Sequence, residues 1–384
     1  MSTTAPTAAH PPLVVTGMHR SGTSLAASLV AGAGIDVGRQ LMGASRGNER
    51  GHYEDLDFYE FHARVLRAHG AGAEGFACVE SLSVPESLRP AAAALVEARA
   101  QAGVPWGWKD PRTCLFLDFW GDLVPEARFL FVFRSPWDVM DSLFRRGDEV
   151  FAANPAHAAR VWLEYNRRIV DFLRRNRTRS LLVEVGQLAA DPAGVFAAIR
   201  SRLVVPVGQP PERFERELLA RDETAARASL VACFLPEAVA LYDEMRGLAG
   251  MPERGSASSA GGAAVPEQAI REWARASAAG ARLKQFESER DAAVAARLQA
   301  EETLAATARD AESRIAAAVE AAVADAMAAA EARVASLERR LSAAEGRVRE
   351  LAAVRDELSD QLQRAVLGHL ERSEIDDLAT SPLA

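Results

Sequence analysis

PLVVTGMHRSGTSL, residues 12–25, is the stretch that decides how the rest of the chain is organised. A short run of β-forming residues, 13–15, leads into a loop that Gly17 and Gly22 bound. An apolar helix then begins near Leu25. A junction of strand, glycine loop and helix directs backbone N–H groups and the positive end of a helix dipole to one point. The pattern predicts an anion site, although a plain strand-to-helix turn has the same pattern.

The loop has the glycine spacing of a nucleotide-binding P-loop but lacks its lysine. Thr23 stands at the lysine position, Ser24 stands at the hydroxyl position, and the cation has moved inside the loop to Arg20. An NTPase needs that lysine on the β- and γ-phosphates, so an NTPase with Mg²⁺ is not favoured. One arginine and several hydroxyl groups suit a 5′-phosphate group that needs no metal.

Composition narrows the class of protein. The 384 residues carry a net charge of −8, so a general nucleic-acid surface is not indicated. There is no apolar run of about 18 residues to span a membrane, and residues 1–11 predict a disordered tail and not a signal peptide. The cysteines Cys78, Cys114 and Cys233 show no metal-ligand spacing. They predict buried thiols in a reducing compartment, hence a cytoplasmic location.

The middle of the chain alternates strands and helices. Residues 127–133 are continuously apolar and aromatic, as in a strand that is buried on both faces. Residues 180–185 predict another such strand, and helical patterns cover 154–176 and 193–203. This rhythm predicts an α/β domain, with a parallel sheet that carries helices on both faces.

A second motif, WGWKDPRT (106–113), ends a short predicted strand. Asp110 is a natural helix N-cap and Pro111 a natural first helical residue. Lys109 and Arg112 therefore lie at a strand end, where ligands bind in open α/β sheets. The alternative is a capping turn whose charges are solvated.

The strand at 127–133 runs directly into a third candidate. Ser135 is placed to cap the next helix, and Ser142 lies two helical turns beyond it, on the same side. Arg134, Ser135 and Ser142 are thus predicted to converge on a second anion, unless the segment serves only to cap the helix.

The segment GHYED (51–55) follows the first loop and offers a general base. The candidates are His52, Glu54, Asp55 and, just beyond the segment, Asp57. The alternative is an ordinary capping segment at the start of the helix that follows.

Together these motifs resemble the bacterial sulfotransferase family that uses 3′-phosphoadenosine 5′-phosphosulfate (PAPS). The matching pieces, in the order of that family, are GMHRSGTS (17–24), GHYED (51–55), WGWKDPRT (106–113), FVFRSPWDVMDS (131–142) and VEVGQLAADP (183–192). The resemblance implies a P-loop NTPase-like sulfotransferase fold, with PAPS as co-substrate and no metal.

The resemblance also implies roles for individual residues. By this resemblance the first loop binds the 5′-phosphosulfate through Arg20, Ser21, Gly22, Thr23 and Ser24. Arg134 and Ser142 bind the 3′-phosphate. Arg20 and Lys109 are assigned to the transferring sulfuryl group and the bridging oxygen. Glu54 is preferred over Asp55, Asp57 and His52 as the base that deprotonates an acceptor hydroxyl or amine.

The chain departs from the family of cytosolic small-molecule sulfotransferases in two ways. Their late glycine-rich loop with a lysine has no counterpart here, and neither does their catalytic histidine. A glutamate base is the pattern of protein-modifying and bacterial members. We expect the acceptor to be a carbohydrate or a glycolipid.

The last third of the chain has a different composition. We predict a domain over 12–251, a flexible linker over 252–265, a coiled coil over 266–367 and a disordered tail over 368–384. A heptad seam runs through Ala330, Val334, Leu337, Leu341, Ala344, Val348, Leu351, Arg355, Leu358, Leu362 and Ala365.

A weaker, alanine-rich seam precedes it, at Leu304, Ala308, Ala311, Ile315, Ala318 and Ala322. One uninterrupted helix over 266–367 would reach about 150 Å. The seam predicts a homo-oligomer or docking on a helical partner, and the alternative is a single alanine-rich helix.

Two other functions compete with sulfuryl transfer. A nucleotide-dependent phosphotransferase is disfavoured by the missing loop lysine and the second anion site. A coiled-coil scaffold with an inactive head is disfavoured by the presence of Arg20, Lys109, Arg134 and Ser142.

Overall fold

The computed structural model describes residues 10–43, 51–76, 78, 82–101, 103–211, 224–252, 267–313 and 319–379. The chain divides into two compact units. The first comprises Met1–Ile270 with Gly368–Ala384, and the second comprises Arg271–Leu367. The linker predicted over 252–265 lies, except for residue 252, outside the described residues, as do residues 1–9 of the predicted N-terminal tail.

The first unit is built on a parallel sheet of four strands in the order β2-β1-β3-β4. Register pairs Val15 with Lys109 and with Leu130, so the carboxyl ends of neighbouring strands meet at one edge. This confirms the predicted parallel sheet. The strands are β1 (Leu13–Thr16), β2 (Gly107–Lys109), β3 (Arg128–Phe133) and β4 (Ser180–Glu184).

Helices cover both faces of this sheet, which is why the strands read as continuous apolar runs. Leu130 and Val132 of β3 belong to one buried cluster with Leu29. Phe129 points the other way, and its ring centroid lies 4.8 Å from that of Phe172. The α/β class is confirmed.

The helices of the first unit follow the predicted pattern closely. They are α1 (Thr23–Gly32), α2 (Leu56–Ala68), α3 (Arg89–Ala100), α4 (Leu117–Leu123), α5 (Pro136–Arg146), α6 (Glu149–Ala153), α7 (Pro155–Arg175), α8 (Val185–Ala190), α9 (Pro192–Ala198), α10 (Thr224–Phe234) and α11 (Pro236–Leu248). Short 3₁₀ turns occur at Glu86–Leu88, Pro111–Phe116 and Arg177–Arg179.

The helix predicted over 193–203 is present, and its last turn, Ile199–Leu203, is a wider π turn. The prediction of three buried thiols is wrong. The cysteines are free, but only Cys114 is buried, whereas Cys78 is exposed and Cys233 half-buried. Burial raises the pKa of the Cys114 thiol to about 12.

The second unit contains most of two long helices, α12 (Glu267–Ser313) and α13 (Val319–Ala379), where a single helix was expected. The guanidinium of Arg347 lies 4.8 Å from the centroid of the Phe286 ring, so the two helices contact each other. Ala293 and Ala344 line one cavity that the two helices share. A helix with an apolar seam needs a second helix to cover it, and here the same chain supplies one.

The seam residues Leu337 and Ala344 are buried in this unit, seven residues apart. α13 continues to Ala379, past the boundary predicted at residue 367. Leu362 and Ala365, and most of the weaker upstream seam, fall where side chains are not described. Among the described helices, none combines the length and the apolar character that crossing a membrane requires.

Candidate active site

The loop between β1 and α1 depends on its two glycines. A Cβ at Gly17 would collide with the carbonyl oxygen of Val132, and one at Gly22 would collide with the side chain of Val185. Gly22 also has a φ of 90°, in the left-handed region that favours glycine. The loop is therefore packed closely against β3 and the start of α8.

α1 begins without a side-chain cap and without an acidic residue in its first turn. The first N–H groups of a helix have no partner within the helix, so they attract an anion when no cap covers them. Within the described part of the chain, Nε2 of His19 and Oγ of Ser21 are buried polar atoms without a hydrogen-bond partner. Both atoms belong to this loop. Buried polar atoms without a partner are expected where a ligand such as an anion binds.

Arg20 extends from the loop toward α5. Its φ of 67° is left-handed, an uncommon conformation for a residue with a side chain. Its Nε donates to Oγ of Ser142 at 2.9 Å. Burial lowers the pKa of Arg20 to about 10, and the guanidinium groups of Arg146, Arg134 and Arg145 add to the effect. Cations that destabilise one another in this way are stabilised by an anion among them.

The junction of β3 and α5 places Arg134 beside this cluster. Its side chain is buried, and its Nε lies 3.7 Å from Oδ2 of Asp138. Burial lowers the pKa of Arg134. Ser135 accepts a hydrogen bond from the backbone N–H of Asp138, as predicted for a cap. Ser135 is thereby used for capping, while Arg134 and Ser142 both lie beside Arg20.

A second cluster forms where β2 ends. Nζ of Lys109 donates to Oε1 of Glu54 at 2.9 Å and to Oγ of Ser24 at 3.2 Å. It also donates to the carbonyl of His52 at 2.8 Å. Lys109 and Glu54 are 1% and 3% exposed. The ammonium group of Lys109 therefore links Glu54, the only acidic residue that it contacts in the described structure, to Ser24 in the first turn of α1.

Arg112 also belongs to this cluster, and its contact with Glu54 could not be predicted from the sequence. Its Nη1 donates to Oε2 of Glu54 at 3.2 Å, so both carboxylate oxygens of Glu54 face cations. Burial opposes the charged form of Arg112, but the carboxylates of Asp110 and Glu54 raise its pKa. Asp110 caps the turn at Pro111, as predicted.

The other candidate bases are placed differently. Asp55 is buried and caps α2 by accepting from the N–H of Asp57. Asp57 itself is exposed on α2. His52 is half-buried, and burial lowers the pKa of its imidazole. Glu54 is thus the one of the four that contacts Lys109 through its side-chain carboxylate.

The site residues gather in two groups. Ser24, Glu54 and Lys109 form one, and Arg20, Arg134 and Ser142 form the other. In the sequence, Ser21 and Gly22 of the loop and Thr23, the first residue of α1, lie between Arg20 and Ser24. No group of three or more histidine, cysteine or acidic residues suited to a metal ion occurs among the residues that the structure describes.

Comparison with known proteins identifies one family. A family model described as "Sulfotransferase family" matches residues 11–209. The chain is similar to a crystal structure of a sulfotransferase from Mycobacterium tuberculosis H37Rv, with 17% identity, a TM-score of 0.30 and coverage of 54% of this chain and 69% of that one. It is also similar to the sulfotransferase domain of the Synechococcus PCC 7002 olefin synthase, with 19% identity, a TM-score of 0.32 and coverage of 69% and 93%. A search of curated proteins gives no match.

Proposed function

The chain belongs to the sulfotransferase family, and on that premise we propose that it transfers a sulfuryl group from PAPS to a hydroxyl group or an amine of an acceptor. The observation that carries the proposal is the position of Lys109. Its ammonium group hydrogen-bonds both Glu54 and Ser24, so a carboxylate base and an anion loop share one cation. The reaction needs a base close to the site that holds the phosphosulfate, and Lys109 links the two.

The loop has the donors that a phosphosulfate requires. The uncapped first turn of α1 offers backbone N–H groups, and Ser21 has a buried hydroxyl without a partner among the described residues. Arg134 and Ser142, with Arg20 between them and the loop, are proposed to hold the 3′-phosphate. Because Arg20 already contacts Ser142, we assign Arg20 to both phosphate groups.

PAPS supplies the sulfuryl group: the acceptor oxygen or nitrogen bonds to sulfur, the bond between sulfur and the 5′-phosphate oxygen breaks, and 3′-phosphoadenosine 5′-phosphate (PAP) leaves. Glu54 takes the proton from the acceptor. Lys109 and Arg20 stabilise the negative charge that develops on the leaving oxygen. These cations and the loop N–H groups fulfil this role without a metal.

The acceptor is proposed to be a carbohydrate or glycoconjugate. The support is the glutamate in the base position, which resembles the sulfotransferases that lack a histidine base. Transfer of ³⁵S from PAPS to a panel of sugars, glycolipids and simple phenols tests this class directly. Labelling of phenols alone would remove the carbohydrate proposal. The protein is proposed to act in the cytoplasm, which its three free cysteines support.

The proposal of PAPS use is tested by calorimetric titration of the full chain with PAP and, separately, with ATP and Mg²⁺. We expect PAP to bind and ATP to bind far more weakly, since the loop lacks the P-loop lysine. Tighter binding of ATP would favour a phosphotransferase. Binding of neither nucleotide would favour the scaffold with an inactive head.

Glu54→Gln tests the assignment of the base. Turnover is expected to fall by about 10²- to 10⁴-fold, the usual contribution of a positioned base, while PAP affinity stays nearly unchanged. The matched control is Glu60→Gln, because Glu60 lies on α2 with an exposed side chain. Undiminished turnover of Glu54→Gln would move the role of the base to His52.

The helix pair α12–α13 is proposed to take part in assembly, as a homo-oligomer or with a helical partner. In the described residues the seam at Leu337 and Ala344 is buried, and α12 contacts α13. Sedimentation of the full chain at micromolar concentration tests the homo-oligomer. A dimer supports it, whereas a monomer leaves only a helical partner from another protein or pairing within one chain.

A further inference from the structure

A buried chain of polar side chains is linked to Glu54 through Arg112. Its members His62, Asp110 and Trp120 are each 0% exposed, and none of them has a role in the proposed reaction. His62 comes from α2, the helix that follows Glu54, and Asp110 follows directly on Lys109. Buried polar groups at such positions need a full set of partners, which this chain of contacts supplies.

The hydrogen bonds of His62 fix its protonation. Trp120 donates from Nε1 to Nε2 of His62 at 2.9 Å. An indole N–H is a donor only, so Nε2 of His62 must be the acceptor and carries no proton. The proton of the neutral ring is then on Nδ1, which lies 3.0 Å from Oδ2 of Asp110 and donates to it.

Asp110 passes this constraint to Arg112. Its Oδ1 accepts from the backbone N–H of Arg112 at 2.8 Å and from Nη1 of the same residue at 2.9 Å. Burial acts against the ionised carboxyl, but Arg112 and His62 hold the pKa of Asp110 well below its ordinary range. Asp110 is therefore a fixed anion that holds the guanidinium from one side.

Nη1 of Arg112 carries two hydrogens, and each has a carboxylate partner. One faces Asp110, and the other faces Oε2 of Glu54 at 3.2 Å. Nε of Arg112 donates to the carbonyl of Ala73 at 2.6 Å, which fixes the plane of the group. The position of Oε2 of Glu54 is thus set by a guanidinium that Asp110 orients.

Packing prevents His62 from turning away. Its ring is stacked on that of Phe116, with centroids 5.7 Å apart, and meets Trp120 edge-on at 5.6 Å. A rigid ring with a single tautomer presents its N–H to one point only.

We propose that His62 is a positioning residue for the transfer reaction, and that it acts through Asp110 and Arg112 on Glu54. The inference rests on the proposed function, in which Glu54 is the base. His62 fixes Asp110, Asp110 fixes Arg112, and Arg112 holds one oxygen of Glu54 so that the other faces Lys109. The competing interpretation is a core histidine that only satisfies its neighbours.

A pair of substitutions separates these interpretations. In His62→Asn the amide nitrogen takes the position of Nδ1 and still donates to Asp110. In His62→Gln the amide reaches toward Trp120 and leaves Asp110 without this donor. A purely structural role makes the two variants similar, whereas a positioning role lowers turnover mainly in the glutamine variant.

Each variant is titrated with PAP and assayed for PAP release from PAPS, with water and with the best acceptor of the wild type. We expect His62→Gln to lose about 10- to 100-fold in turnover, as when a partner that orients a site group is removed, with PAP affinity retained. His62→Asn should keep most of the turnover. Equal losses in the two variants, or no loss in either, would overturn the proposal.

A measurement on the wild type is independent of folding in the variants and of any acceptor. Nitrogen-15 shifts of the imidazole report which nitrogen carries the proton. The proposal requires the Nδ1–H tautomer at His62, and the Nε2–H tautomer or a doubly protonated ring would contradict it. Failure of the wild type to bind PAP overturns the proposed function instead, and the two failures are therefore distinguishable.

Discussion

Two strand-to-helix junctions lie side by side in the sheet, because β1 pairs with β3. α5 starts with a complete cap: Ser135 accepts from the N–H of Asp138, and Asp138 adds an acidic group to the first turn. α1 starts at Gly22 with neither a capping side chain nor an acidic residue. The start of α5 therefore carries an acidic side chain of its own, whereas the start of α1 carries none.

The difference teaches how the same local architecture is used for two purposes. At the β1–α1 junction, the groups that we propose for binding are backbone N–H groups, and two glycines allow the loop its shape. At the β3–α5 junction, the N–H of Asp138 is already paired with Ser135, and the groups that we propose for the ligand are the side chains of Arg134 and Ser142. Ligand binding at the β1–α1 junction should therefore be weakened by an added side-chain atom, and ligand binding at the β3–α5 junction by the loss of a side chain.

The largest effect is expected from Gly22→Ala. The new Cβ would collide with the side chain of Val185, and the alanine would have to adopt the φ of 90° that Gly22 has in the loop. A non-glycine residue in such a conformation costs about 1–3 kcal/mol, and the collision displaces the loop further. PAP affinity, measured by titration calorimetry, should fall about 100-fold or more.

Gly34→Ala is the control for that experiment. Gly34 has a φ of 93°, close to that of Gly22, but a Cβ there meets nothing within 4 Å. This variant should lose about 1–2 kcal/mol of stability and bind PAP normally. Equal PAP binding by the two variants would mean that the loop backbone does not hold the ligand.

A smaller effect is expected from Arg134→Ala, which removes a side chain from the second junction. Hydrogen bonds to charged groups contribute about 1.5–3 kcal/mol, so PAP affinity should fall by about 10- to 100-fold. Affinity for adenosine 5′-phosphate, which lacks the 3′-phosphate, should not change. Equal losses for both nucleotides would place Arg134 outside the 3′-phosphate site.

Arg128→Ala is the matched control, because Arg128 lies at the other end of β3 and donates to the carbonyl of Leu203. It should leave both affinities unchanged.

The sequence was sufficient for what is local in this fold. Glycine spacing predicted the loop, and the short polar residues before proline predicted the caps at Asp110 and Ser135. Capping and strand signals depend on a few neighbouring residues, so they can be recognised without knowledge of the fold.

Contacts across the sheet could not be predicted in the same way. Arg112 and Glu54 are 58 residues apart, and Arg20 and Ser142 are 122 apart. Their meeting depends on the order of the strands, which no local pattern encodes. The heptads likewise predicted an apolar seam on α13 but not that α12 contacts this helix. An apolar seam indicates that a second helix must cover it, but it does not indicate whether the same chain or another chain supplies that helix.

The smallest effects are expected from two serines of one helix, and they bring the comparison to single hydroxyl groups. Ser135→Ala removes a cap and should cost about 1 kcal/mol of stability with no change in PAP affinity. Ser142→Ala removes the acceptor of the Arg20 hydrogen bond and a proposed ligand of the 3′-phosphate. It should lower PAP affinity by about 10-fold, the lower end of the range for one hydrogen bond to a charged group, with little change in stability. Thermal unfolding and calorimetry on the same two samples separate stability from binding. If Ser135→Ala weakened PAP binding as much as Ser142→Ala, the capped junction would bind through its backbone after all, and the two junctions would not differ in kind.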